Sequence, residues 1–296
     1  MRILCFDIGG TAIKIGLVDD KGNILEYREI PTKACAGGEA LMTKILDEIS
    51  RYTAIDRIGI STAGQVDFES GKVIFASENI PGWTGMEIKK RIEAKYSILT
   101  AVENDVNAAA LGQAYYGLGK VNLNFLCLTY GTGIGGSILQ NGKIYHGATG
   151  SAGEFGHMIT HVGGLKCSCG GSGCYEAYAS TSALVRMAKE FTNNNDEIDG
   201  KYIFKRVLEG NEEYKQLVDR WIVEVSMGLC SIIHMYNPSL IVLGGGIMQQ
   251  EYILDRVREN IKRYVMPNFD NVEISAATLG NTAGLLGASV LAKGLE

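Results

Sequence analysis

The sequence predicts an α/β fold in two domains, on three observations. Strand-like and helix-like stretches alternate along the chain. A strand, a glycine-rich turn and a second strand occur twice, around residues 2–18 and again around 126–140, so that each half opens on the same design. A length of 296 residues with 46% apolar composition supports a sizeable core and fits two medium domains. The expected division is 1–117, rejoined by a last helix at 282–296, and 118–281.

The elements follow from local pattern. Residues 2–8 are a short apolar strand, Asp7-Ile8-Gly9-Gly10-Thr11 turns the chain, and 12–18 returns as a second strand. Gly9 and Gly10 let backbone N–H groups approach a phosphate, Thr11 adds a hydroxyl donor and Lys14 adds charge. Asp7 is no anion binder, but it fits as a carboxylate facing a phosphate-bound Mg(II). A strand at 24–30, an amphipathic helix at 39–52 and a strand at 57–61 complete a β-β-β-α-β order. Residues 66–76 read as a hairpin turned at Ser70-Gly71, followed by the loop 79–83 and a helix at 85–95. In that loop Asn79 can donate and accept toward vicinal hydroxyls and Trp83 offers a flat apolar face; the competing readings are an ordinary turn and a core aromatic.

A strand at 98–103 runs through Asn104-Asp105-Val106-Asn107 into an alanine-rich helix at 108–116. A carboxylate there is placed either as a base or as an N-cap. After Gly117-Leu-Gly-Lys120, residues 126–140 repeat the opening design, with Asn141-Gly142 closing the next hairpin. Gly131-x-Gly133-x-x-Gly136 has the dinucleotide-binding spacing, but the chain continues as a strand where that motif requires a helix. Thr132 and Gly133 are read instead as a second phosphate turn. Helices follow at 182–191, 199–208 and 212–236, the last with an apolar stripe through Leu217, Trp221, Val225, Leu229 and Ile232. A buried strand at 240–243 leads to Gly244-Gly245-Gly246, where glycines permit close ligand approach, then to helices at 251–264 and 282–291.

Cys167-Ser-Cys169-Gly-Gly-Ser-Gly-Cys174-Tyr-Glu176, preceded by Gly153-Glu154-Phe155-Gly156-His157, stands apart from this pattern. Three thiols in a small, polar, glycine-rich loop are not core filling. They suit Zn(II) in a closed tetrahedral Cys3His site, with His157 as fourth ligand and His161 competing on spacing alone. The alternative, a disulfide with a spare thiol, needs an oxidising compartment. Four protein ligands leave no open position for water, so the metal is read as a clamp. Closing it brings Glu154, Glu176 and the other face of His157 together, a set suited to hydrogen-bonding sugar hydroxyls.

Composition narrows the class further. A net charge of -5 without a basic run argues against nucleic acid and anionic membrane partners. The first apolar run meets Asp7 too early for a signal-peptide core, and no stretch approaches a spanning helix. Of seven cysteines, Cys5, Cys127 and Cys230 lie in apolar segments, which fits a reducing, cytoplasmic setting.

G-E-x-G-H followed by C-x-C-G-x-x-G-C-x-E resembles the signature of the ROK family of repressors, open reading frames and kinases, over essentially the whole chain. The resemblance implies two ribonuclease-H-like domains of the actin/hexokinase superfamily, with ATP and Mg(II) bound in the interdomain cleft. It makes Glu103-Asn104-Asp105-Val106-Asn107 the catalytic segment, with Asn104 binding sugar and Asp105 taking the proton from the attacking hydroxyl. It also puts Gly64 and Asn79 on the sugar side, Gly244, Gly245 and Gly246 at the adenosine and the 117–120 stretch at the hinge. A homodimer or higher homo-oligomer is expected. The implied activity is ATP-dependent phosphorylation of a hexose, glucose first, with N-acetylmannosamine or another hexose as alternatives. The family's repressors carry a helix-turn-helix ahead of the first hairpin, for which six residues before Asp7 leave no room. The segment Ser61-Thr-Ala-Gly64-Gln departs from the P-G-P form common in the family.

Overall fold

The computed structural model describes residues 1–77, 79–118, 123–192 and 198–295. The elements in chain order are β1 (Arg2–Ile8), β2 (Ala12–Asp19), β3 (Ile24–Pro31), α1 (Gly38–Ile49), β4 (Arg57–Thr62), β5 (Gln65–Asp67), β6 (Lys72–Phe75), α2 (Ile88–Tyr96), β7 (Thr100–Asn104) and α3 (Asp105–Tyr116). They continue with β8 (Phe125–Tyr130), β9 (Ile134–Gln140), β10 (Lys143–Ile144), α4 (Glu176–Ala179), α5 (Thr181–Phe191), α6 (Gly200–Leu208), α7 (Glu212–Tyr236), β11 (Leu240–Gly244), α8 (Glu251–Tyr264), β12 (Glu273–Ala276) and α9 (Ala283–Lys293).

The α/β class and its duplication are both present. One sheet runs β3-β2-β1-β4-β7 and the other β10-β9-β8-β11-β12, the same order twice. In each, a hairpin supplies the antiparallel edge and the remaining strands pair in parallel. Contacts divide the chain into a first unit of residues 1–123, 138–152 and 281–296 and a second of 124–137 and 153–280. Residues 138–152 thus group with the first unit, whereas the sequence reading put all of 118–281 in the second. Among the described residues no helix is long and apolar enough to cross a membrane.

In the first unit, alternate β1 and β2 residues Leu4, Phe6, Ile13 and Ile15 meet Leu41, Met42 and Ile45 of α1 in a fully buried cluster. Trp83 belongs to that core: it is 0% exposed and its Nε1 donates to Thr62 Oγ1 at 3.0 Å, so it offers no open face to a sugar. The other face of the sheet is covered by α9, which packs on α3, β1 and β4. Small residues allow that approach, since a side chain at Gly287 would fall on the Ala108 carbonyl and one at Gly112 on that of Ala283. In the second unit the expected stripe of α7 is buried throughout, from Leu217 and Trp221 to Ile232.

Candidate active site

Asp7 ends the β1 run and faces Lys14 across the antiparallel ladder. Lys14 Nζ lies 2.8 Å from Asp7 Oδ2, and Ser61 Oγ of the neighbouring parallel strand β4 donates to Oδ1 at 2.7 Å. Lys14 therefore reaches the carboxylate as well as the space over the turn. The turn itself is closed by Gly9 N–H donating to Ala12 O at 3.0 Å and is pinned to the end of β3 by Thr32, whose hydroxyl donates to Gly9 O at 2.6 Å. Gly10 and Thr11 are exposed. A pinned turn with free N–H groups is prepared for an anion.

The second feature of this unit is the corner from β7 into α3. The helix begins at Asp105, three residues earlier than expected, and its cap is Asn104, whose Oδ1 accepts from Val106 and Asn107 N–H. Asn104 is the cap, Asp105 occupies the first helical position, and Asp105 Oδ1 also accepts from Val106 N–H at 3.0 Å. Asn104 Nδ2 donates to Gly64 O at 2.9 Å and to Asp105 Oδ1 at 3.0 Å. Loss of solvent, and after it the negative charge of Asp7, push the Asp105 carboxyl up to about 6. Gly64 has φ +99° and no room for a side chain against Phe75 O, so it shapes the loop and presents its carbonyl to Asn104. Asn79 stands exposed on the turn that follows β6.

The second unit holds the thiol loop. One ligand atom each from His157, Cys167, Cys169 and Cys174 falls within a 4.8 Å cluster. Cys169 and Cys174 Sγ are 3.6 Å apart, and Cys167 Sγ is 3.7 Å from His157 Nδ1. A tetrahedral ion with metal–sulfur bonds of about 2.3 Å requires edges of about 3.8 Å, so donors and spacing both fit zinc. His161 is elsewhere: its ring stacks on Tyr178 and its Nε2 lies 3.6 Å from Glu224. With Nδ1 in the cluster, His157 turns Nε2 to Glu154 at 3.8 Å. Glu176 Oε1 accepts from Ser168 Oγ at 2.9 Å and from Cys167 Sγ at 3.2 Å, and its Oε2 accepts from Ile134 N–H at 3.2 Å. The metal loop and the β8–β9 turn thus share one carboxylate.

That turn is not a copy of the first. A side chain at Gly133 would collide with the Glu176 carboxylate, so this glycine makes room for Glu176. Gly131 and Thr132 line a cavity of 790 Å³, within the range of cofactor sites. The start of α5 lies beside them: Thr181 N–H donates to Gly131 O at 3.0 Å, and Thr181 and Ser182 line the same cavity. A helix start there favours negative charge. Val185, Phe204 and Leu208 form an apolar wall, with Lys201 and Lys205 beside it. Of the glycine triplet, only Gly246 lines this cavity and has space above it. Gly244 is buried in β11, and Gly245, at φ +105°, is required by the Tyr130 carbonyl.

The α6 wall escaped the sequence reading, which took 199–208 as an unassigned helix; Phe204 and Leu208, four positions apart on one helical face, were the available signal, and Leu208 stands exposed. Also missed was the pair of Glu103 with His146, 2.7 Å apart behind Asn104. Residues 119–122, which include part of the expected hinge, lie outside the described residues.

A glucokinase of Streptomyces coelicolor is 37% identical over 312 residues, covering 97% of this chain and 96% of that protein. A β-glucoside kinase of Listeria monocytogenes is 31% identical, covering 97% and 96%. The crystal structure of a ROK family glucokinase from Streptomyces griseus, in complex with glucose and AMPPNP, matches with a TM-score of 0.87 at 32% identity, covering 99% of each chain. The ROK family model matches residues 3–294, and the chain belongs to the ROK family.

Proposed function

We propose that this protein transfers the terminal phosphoryl group of ATP to a hydroxyl of a hexose, with glucose to glucose 6-phosphate first among the acceptors. The observation that carries the reading is Asp105: a carboxylate at the first position of α3 that shares the Val106 N–H with the Asn104 cap, is raised to about 6 by burial and by the charge of Asp7, and follows a strand end beside a glycine-rich turn. A base with that affinity accepts a proton from an alcohol near neutral pH. The glucokinase relatives and the glucose and AMPPNP complex support the acceptor and the donor.

Phosphoryl transfer asks a protein mainly for positioning and charge. Gly9, Gly10, Thr11 and Lys14 would hold phosphate oxygens in the first unit, as Gly131 and Thr132 would in the second. Asp7 would face phosphate-bound Mg(II), since that ion takes one or two carboxylates and leaves its other positions to phosphate and water. Val185, Phe204 and Leu208 would receive the base, with Gly246 allowing it close. Asn104, Glu154, His157 and Glu176 would orient the sugar hydroxyls. His157, Cys167, Cys169 and Cys174 would hold zinc, which would fix Glu154, His157 and Glu176 in place as a structural ion rather than enter the phosphoryl transfer.

The test is Asp105→Asn, assayed with MgATP and a panel of glucose, N-acetylmannosamine and β-glucosides. The change keeps size and removes the base, and turnover should fall by about 10² to 10⁴-fold with sugar affinity little changed. Near-normal turnover would show that Asp105 is not the base. In the unaltered enzyme kcat/KM should decline on the acid side of about pH 6, where the Asp105 carboxyl retains its proton and can accept no other.

A further inference from the structure

Glu103 is 1% exposed and both of its carboxylate oxygens are engaged. Oε1 accepts from the Asn104 backbone N–H at 2.9 Å and from Asn107 Nδ2 at 3.1 Å, and Oε2 lies 2.7 Å from His146 Nε2. A carboxylate oxygen only accepts, so Nε2 carries the hydrogen. Among the described residues, Asn107 turns its amide donor to Glu103 even though its buried Oδ1 then has no protein partner. Glu103 is therefore the centre on which the first turn of α3 is arranged.

The ring of His146 is itself fixed. It stacks on Phe68 with centroids 3.9 Å apart and planes at 11°, and its backbone carbonyl accepts from Ala152 N–H at 3.1 Å. Its side chain is 17% exposed. A polar ring stacked on one side and bonded at its tip has one orientation, and it delivers a single donor to a buried carboxylate. Without that donor Glu103 keeps a desolvated oxygen unsatisfied, a situation buried carboxylates avoid by moving or taking up a proton. Either response disturbs the acceptor that holds the Asn104 backbone.

We infer that His146 is a positioning residue for hexose phosphorylation: acting through Glu103, it fixes the β7–α3 corner so that Asn104 and Asp105 meet the acceptor hydroxyl in one geometry. The inference rests on the roles proposed above for Asn104 and Asp105.

The experiment compares His146→Phe, which keeps a ring for Phe68 and deletes the donor, with His146→Gln, which restores a donor at the reach of Nε2. For each, kcat and KM for glucose and for ATP are measured with the melting temperature. His146→Phe should lose about 10- to 100-fold in kcat/KM for glucose, the range produced by a small displacement of a reacting group, with KM for ATP moved less than about twofold. His146→Gln should recover most of that loss. Should the Phe variant not fold, His146→Asn, whose amide is too short to reach Glu103, replaces it with the same expectation. The inference is overturned if the variant lacking the donor keeps wild-type kcat/KM for glucose. It is equally overturned if the Gln variant is as impaired as the Phe variant, because packing alone then matters. Failure of the underlying reading looks different: the unaltered enzyme would phosphorylate no hexose, or Asp105→Asn would remain active.

Discussion

The two glycine-rich turns arise from the same local design and differ in what stands behind them. The β1–β2 turn is backed by charge: Asp7 with Lys14 at 2.8 Å and Ser61 at 2.7 Å, beneath a turn closed by Gly9 N–H and exposed at Gly10. The β8–β9 turn is backed by shape, with Glu176 seated against Gly133 and the start of α5 against Gly131. Strand, glycines and strand provide only a close backbone approach. In the first the charged pair flanks the turn in sequence and only Ser61, 54 positions from Asp7, comes from afar; in the second the decisive residue, Glu176, is 42 positions from the Ile134 N–H it accepts from.

Substitutions can break this comparison. The largest effect should come from Asp7→Asn, which leaves the turn intact and removes the carboxylate: turnover should fall on the order of 10²-fold or more, as when one fixed electrostatic partner of a transition state is lost. Because the Asp7 charge helps raise Asp105, the acid limb of the residual pH profile should also shift to lower pH; an unmoved limb would separate the two carboxylates.

Cys169→Ser tests the second unit next. Elemental analysis should find about one zinc per unaltered chain and less in the variant, with melting lowered by several degrees and glucose binding weakened. Binding of an ATP analogue should survive, because the 790 Å³ cavity contains none of the thiols. Turnover abolished by mild chelation, with melting and sugar affinity unchanged, would mean that the metal is catalytic.

The smallest and sharpest contrast pairs Gly133→Ala with Gly10→Ala. The first forces a methyl onto the Glu176 carboxylate and should raise KM for glucose by roughly tenfold, within the cost of inserting a methyl into a packed site. The second meets no protein atom within 4 Å but lies where the turn would approach a phosphate, so it should raise KM for ATP and change KM for glucose by less than about threefold. Equal effects would show that both glycines serve phosphate in the same way.

What could be read in advance follows physical range. The strand pairs, the α7 stripe and the Cys3His set were legible because periodicity and ligand spacing are local. Asp105 was legible as a candidate only; both side chains reach Val106 N–H, Asn104 alone of the two also takes Asn107 N–H, and both residue types cap well, so the sequence could not say which would hold the cap. Glu103 with His146, and Gly133 with Glu176, were not legible, since each joins residues more than 40 positions apart. Trp83 was ambiguous for another reason: an indole N–H needs a partner in a core as it does near a sugar, and here Thr62 supplies it.

The packing of α9 gives the chain a clock. Gly284 in the first turn of this helix leaves space that the Asp7 carboxylate occupies, and the helix covers α3 and the inner strands of the first sheet. Asp7 is synthesised well before Gly284, with most of the chain between them. At about 5–20 residues per second the interval is tens of seconds, during which the strands of the first sheet have been made and the helix that covers one of its faces has not. The second unit, whose segments lie between residues 124 and 280, is fully synthesised before the first can be closed. Order of appearance and order of completion are therefore reversed: the unit that carries the thiol cluster is complete in sequence while the β1–β2 turn still awaits α9.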